Sequence, residues 1–247
     1  MANMSDLPAA VDKSINAFVD SAKTAFGADL SAIVIYGSAA EGRLRATSDV
    51  NMLLVLKCFA QAGADQMREP LRLARATIEL NAMFLLEDEM AMAMEAFAVK
   101  FADIVARHRV LFGADPFAKL DPSREALARR LKQVLLNLQL RLRERYVLLS
   151  LREEQLARVV ADAAGPLRSS AASLRQLEGA PPLPPKEALE AAVKDMNDAA
   201  LTQALRDVSA AREDQPLAPG TAGTTMLALL TLTKHLRERV AHADQPR

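Results

Sequence analysis

The chain of 247 residues and 26.8 kDa has room for one large domain or two modest ones, each with its own core. Its 31 basic and 31 acidic residues cancel to a formal net charge of zero, so no overall electrostatic pull towards nucleic acid or an anionic membrane exists. Trp is absent and aromatics are only 4%, which removes a stacking platform for single-stranded nucleic acid as well. Charged residues interrupt every apolar run before the ~18 residues a membrane span needs, so a soluble protein without a membrane partner is expected. Asp6 precedes any long apolar stretch, unlike the start of a secretory signal. Cys58, the only cysteine, excludes an internal disulfide and fits a reducing compartment, so the expected location is the cytoplasm.

Taken in chain order, Val11, Ile15, Phe18, Val19, Ala22 and Phe26 recur at helical spacing and predict an amphipathic helix from about Pro8 to Phe26. The β-branched run Leu30 to Tyr36 and the run Val50 to Leu56 read as buried strands. The polar segment from Gly37 to Asp49 between them is too glycine-punctuated to be core. A helix is predicted over Asp65 to Leu80, a strand over Ala82 to Leu86, and a Met-rich helix from near Glu87. Further strands are predicted over Ala96 to Val105 and Val110 to Phe112. Asp115-Pro116 and Asp121-Pro122 then punctuate the chain and strand signals stop, which places a boundary near 120 and predicts domains at 1–120 and 121–247. The second half reads as helices over Ser123 to Ala164, Pro166 to Leu177, Lys186 to about Ala211 and Thr224 to Val240. Gly165-Pro166 is the expected stop of the first, and Pro181 to Pro185 a stiff connector.

The segment between the first two strands carries the chemistry. Gly37 lets the chain turn sharply off a strand, and Ser38 offers a hydroxyl and amides suited to phosphate oxygens. Asp49 and Asn51 open the second strand and, two apart, point to one face. This order of strand, Gly-Ser, short turn and Ser48-Asp49-Val50-Asn51 at the next strand resembles the signature of the nucleotidyltransferase superfamily, whose second strand opens with Asp-x-Asp. The resemblance is strongest over residues 30 to 56 and weaker over Arg107 to Phe117. It implies an α+β fold, with a mixed sheet flanked by helices followed by an all-helical bundle domain. It also implies binding of a nucleoside triphosphate and Mg2+, with Asp49 and Ser38 as catalytic residues, Asp49 and Asn51 as metal ligands, and transfer of a nucleotidyl group to a hydroxyl acceptor. Gly37, Ser38, Arg43 and Arg45 are the residues expected to hold the triphosphate.

The sequence also departs from that signature. Asn51 stands where the second acid belongs, and its neutral amide offsets none of the charge of a divalent cation. The third acid is expected from the Ala96 to Val105 strand, where Lys100 and Asp103 have opposite parity, so only one would face the site; Lys100 there would neutralise Asp49. The expected function is therefore a nucleotidyltransferase-like protein with atypical or impaired metal-dependent transfer. The alternative is a catalytically inactive nucleotide-binding or regulatory module that docks a partner through its helical domain. A third reading, a homodimer or scaffold, also places the contact on the C-terminal helices.

Competing motifs are weaker. His108, His235 and His242 lack metal-ligand spacing, and no Gly-x-Ser-x-Gly elbow or Gly-x-Gly-x-x-Gly turn is present. Arg237 and His242 resemble the Arg-x-x-x-x-His ribonuclease motif of helical domains that accompany minimal nucleotidyltransferases. Arg141, Arg143, Arg145 and Arg152 interleave with Glu144, Glu153 and Glu154 and read as a solvated helix face rather than a nucleic-acid patch. Met83, Met90, Met92 and Met94 read as gap-fillers.

Overall fold

The computed structural model describes residues 7–44 and 49–244. Two compact units divide the chain: Met1–Ala96 with Phe101–Pro122, and Phe97–Lys100 with Ser123–Arg247. The first holds a four-stranded mixed sheet between helices and the second is helical, an α+β architecture. Among the described residues no helix is long and apolar enough to cross a membrane.

In the first unit the strands β1 (Leu30–Tyr36), β2 (Val50–Leu56), β3 (Leu80–Leu86) and β4 (His108–Gly113) lie in the order β3-β2-β1-β4. β1 is antiparallel to β2 and β4, and β2 is parallel to β3. β1 and β2 read as continuous apolar runs because both faces of the sheet are covered. Ile33, Ile35, Met52 and Leu54 share one core with Ile15, Phe18 and Val19 of α1 (Ala9–Phe26) and Met67, Ala74 and Ile78 of α2 (Gln61–Ile78). Val34, Tyr36, Leu53 and Val55 face the other way, onto Met90 and Met94 of α3 (Met90–Ala96) and Phe101 and Ile104 of α4 (Ala98–Ala106). The methionines thus fill the core as expected, except Met92, which is exposed.

The second unit contains α5 (Arg124–Leu149), α6 (Glu153–Leu177), α7 (Pro185–Met196), α8 (Ala199–Arg212) and α9 (Thr221–Ala243). Ser123 caps α5 by accepting from the Ala126 N–H at 3.1 Å. α5 packs on α6 and α9, and α6 also packs on α7 and α8.

Three expectations are corrected. The Ala96 to Val105 segment is helical, not a strand: Phe101, Ile104 and Val105 enter the core at helical spacing. The helix predicted over Ser123 to Ala164 ends at Leu149, and Gly165-Pro166 sits inside α6. The apolar stripe Leu156, Val160, Ala163, Leu167, Ala171 and Leu174 continues through the proline, so packing of that face outweighs the lost hydrogen bond. Lys186 to Ala211 is two helices, because Asn197 takes a left-handed conformation (φ 49°) and the Asp198 carboxylate accepts from the Ala200 and Leu201 N–H groups at 2.8 and 3.2 Å.

Candidate functional site

Antiparallel pairing sets Tyr36, the last residue of β1, opposite Asn51 of β2. The bend that follows Tyr36 therefore leaves the sheet at the end where Asp49 enters it. Gly37 makes this bend at φ +76°, a conformation that disfavours any side chain. Its N–H donates to the Arg107 carbonyl at 2.9 Å, pinning the bend to the start of β4. A single 3-10 turn, Gly37–Ala39, follows and lies against β2. The Arg43 N–H donates to the Ser38 carbonyl at 2.9 Å and folds the linking segment back over the turn. Gly37, Ser38, Asp49 and Asn51 thus share one end of the sheet, with Asp49 exposed and Asn51 half-buried. Arg43 is exposed, while Arg45 and Ser48 lie outside the described residues.

The strand beside β2 is β3, and its in-register parallel pairing sets Asn81 next to Asn51. Both share the face of Leu53, Val55 and Leu85, so two neutral amides stand side by side where the strand ends meet the Gly-Ser bend. Asn81 was not found by sequence reasoning, because the sequence does not show that β2 and β3 are parallel neighbours.

The residues expected from the Ala96 to Val105 segment take other places. Lys100 is exposed, and strand parity does not govern it because the segment is α-helical. The cation on this side of the sheet is Arg107, which the sequence reading had not singled out. Its Nε donates to Asp103 Oδ1 at 2.9 Å and its Nη2 to both Asp103 oxygens at 2.7 Å, while Nη1 donates to Glu41 Oε2 at 3.1 Å. All three side chains are about three-quarters or more buried. Burial works against the Arg107 charge, but the bonds and charges of Asp103 and then Glu41 prevail, so its affinity for its proton is raised. Burial, reinforced by the nearby Asp103 carboxylate, also pushes the Tyr36 hydroxyl above its ordinary value. Glu41 lies in the linking segment and Asp103 on α4, so Arg107 ties the loop after Gly37-Ser38 to the helix beneath it.

This donor set does not fit a two-magnesium centre. Magnesium prefers carboxylates and phosphates in a near-octahedral shell. Asn51 and Asn81 supply neutral amides, and Glu41 and Asp103 are bound to Arg107. Among the described residues no three His, Cys, Asp or Glu side chains gather to hold a metal ion.

The remaining candidates do not converge. His108 is half-buried, with Nδ1 facing the Ile104 and Val105 carbonyls at 3.2 and 3.0 Å and the ring edge-on to Phe117. Arg237 donates to the Gln139 side chain within the bundle, whereas His242 is exposed. Five residues apart on a helix, these two point roughly 140° away from each other.

Neither a protein-family model nor a curated protein matches the chain by sequence. Among solved structures, it is similar to spectinomycin adenyltransferase AAD(9) from Enterococcus faecialis, determined with ATP and spectinomycin. The identity is 12%, the TM-score 0.63, and the match covers 90% of this chain and 98% of that one. The likeness spans nearly the whole of both chains and extends the resemblance first carried by the Gly37-Ser38 and Asp49 segment. The protein has the nucleotidyltransferase-like fold.

Proposed function

We propose that the protein binds a nucleoside triphosphate at the sheet end formed by the Gly37-Ser38 bend and the start of β2, and that metal-dependent nucleotidyl transfer to a hydroxyl acceptor is impaired. The observation that carries this reading is the pairing of Asn51 with Asn81, together with the engagement of Glu41 and Asp103 by Arg107. The similar adenyltransferase, solved with ATP and spectinomycin, supports a nucleotide and a hydroxylated small molecule as the ligand classes.

In this reading the Ser38 hydroxyl donates to a phosphate oxygen, and Arg43 and Arg45 approach the triphosphate from the linking segment. Asp49 opposes that binding, because a lone carboxylate about 5 Å from a phosphate repels it by ~1 kcal/mol in a solvated cleft. The setting proposed is the cytoplasm, where the exposed thiol of Cys58 stays reduced.

Calorimetric titration with ATP, in chelator and in magnesium, tests the proposal, with pyrophosphate release measured in parallel. ATP should bind with similar affinity in both buffers without turnover, and Asp49→Asn should leave that affinity unchanged or raise it a few-fold. A tenfold gain in affinity with magnesium that Asp49→Asn abolishes, or steady pyrophosphate release, would contradict it.

A further inference from the structure

The helical unit carries an apolar stripe on the wrong side of its longest helix. α5 buries Leu127, Leu131, Leu135, Leu138, Leu142 and Leu149 against its neighbours. On the opposite side Leu136 is 40%, Leu140 51% and Val147 82% exposed, and Leu151, in the turn just beyond the helix, is 99% exposed. At about 100° per residue, Leu136, Leu140 and Val147 fall within an arc of roughly 40°, and Leu151 extends it over some 20 Å of length. Isolated exposed leucines are ordinary, but an aligned row of four large apolar groups marks a contact surface.

The order of residues along this row identifies what covers it. Leu140 and Val147 are equally spaced on either side of the midpoint between Arg143 and Glu144, and so are Leu136 and Leu151. A second α5 laid antiparallel about a two-fold axis through that midpoint sets Leu140 on Val147, Leu136 on Leu151, and Arg143 on Glu144 of the other copy. By symmetry each contact occurs twice. This is the self-complementarity that an isologous interface requires: the same patch on both partners, apolar against apolar and opposite charges paired. The spacing of four, seven and four residues is also that of an antiparallel helix seam.

From this pattern we infer that the protein forms a homodimer through antiparallel pairing of α5, with Arg143 and Glu144 fixing the register. An unrelated partner helix would need no symmetric spacing and no opposite charges at its centre. The inference is independent of nucleotide binding, because its residues all belong to the helical unit or to the turn joining α5 to α6.

Sedimentation equilibrium of the full chain across a wide concentration range tests it, with circular dichroism as a check of folding. The wild type should approach twice the chain mass of 26.8 kDa. The exposed-site pair Leu140→Glu with Val147→Glu should weaken the dimer at least about tenfold. Arg143→Glu alone, which sets like charges opposite each other at both central contacts, should weaken it too. Arg143→Glu combined with Glu144→Arg should restore it, as only this register predicts. A wild type that stays monomeric, a dimer indifferent to the Leu140 and Val147 changes, or a charge exchange that fails to restore association would each overturn the proposal.

Discussion

Replacing Arg107 with Met keeps most of the aliphatic volume and removes the guanidinium that joins Asp103 to Glu41. The change deletes three donor contacts to Asp103, at 2.7 to 2.9 Å, and one to Glu41 at 3.1 Å. Hydrogen bonds to charged groups are worth about 1.5–3 kcal/mol, and orphaning the partner of a fully buried pair costs about 3–5 kcal/mol. Here the carboxylates are 22% and 25% exposed, so solvent recovers part of that loss and about 2–4 kcal/mol remains. Because the chain has two units, the readout should be local: hydrogen-exchange free energies of the β1 and β4 amides, which report opening of the sheet unit. Arg107→Lys keeps the charge without the fork and should recover roughly half the loss. Millimolar magnesium should partly rescue Arg107→Met, since a cation can then occupy the place between two freed carboxylates, and should not affect the wild type. A loss below about 0.5 kcal/mol, within the range of an ordinary surface substitution, would refute the view that Arg107 is the resident cation of this site.

Three further outcomes follow from the same geometry. Asn51→Asp with Asn81→Asp sets two carboxylates beside each other near Asp49. Thermal melting should then depend on magnesium, lower in chelator and recovered with the ion, whereas the wild type should be indifferent; equal melting of the double variant in both buffers would count against the placement of Asn81. Gly113→Ala places a Cβ 2.0 Å from the Ser31 carbonyl oxygen at φ +78°, so the sheet unit should lose more than about 3 kcal/mol, measured as protection of β1 and β4 amides. Tyr36 has its proton affinity raised by burial and by Asp103, so the folded state holds that proton more tightly than the unfolded chain does. That contribution is fully present below the unfolded value near 10 and is lost as pH rises through the folded value. Alkaline urea melts should show this decline, and Tyr36→Phe should flatten it.

What the sequence makes legible is local. The Gly37-Ser38 bend and Asp49 lie within a dozen residues between two apolar runs, so a glycine needing φ > 0 and two strand ends suffice to bring them together. The identity of the cation and of the second amide depends on pairings between distant elements. Asn81 reaches Asn51 only through the parallel β2–β3 register, and Arg107 reaches Glu41 across sixty-six positions of chain. The segment Phe97-Ala-Val-Lys-Phe101 misleads for a physical reason: Phe97, Val99 and Phe101 alternate with period two, as in a strand. Yet Phe97 is half exposed while Phe101 and Ile104 are buried, and only helical spacing explains that pattern. At Asn197-Asp198 the sequence does carry the break, a left-handed Asn followed by a capping Asp, beneath an otherwise continuous helical pattern.

The central claim is that a triphosphate is received at the end of β1 and β2 without the paired metal ions of a transferase. Anomalous diffraction from crystals soaked with ATP and manganese addresses it most directly. The account predicts phosphate density at the Gly37-Ser38 bend and no manganese peak between Asp49 and Asn51. Two manganese peaks there, bridging the carboxylate of Asp49 and the phosphates, would contradict it.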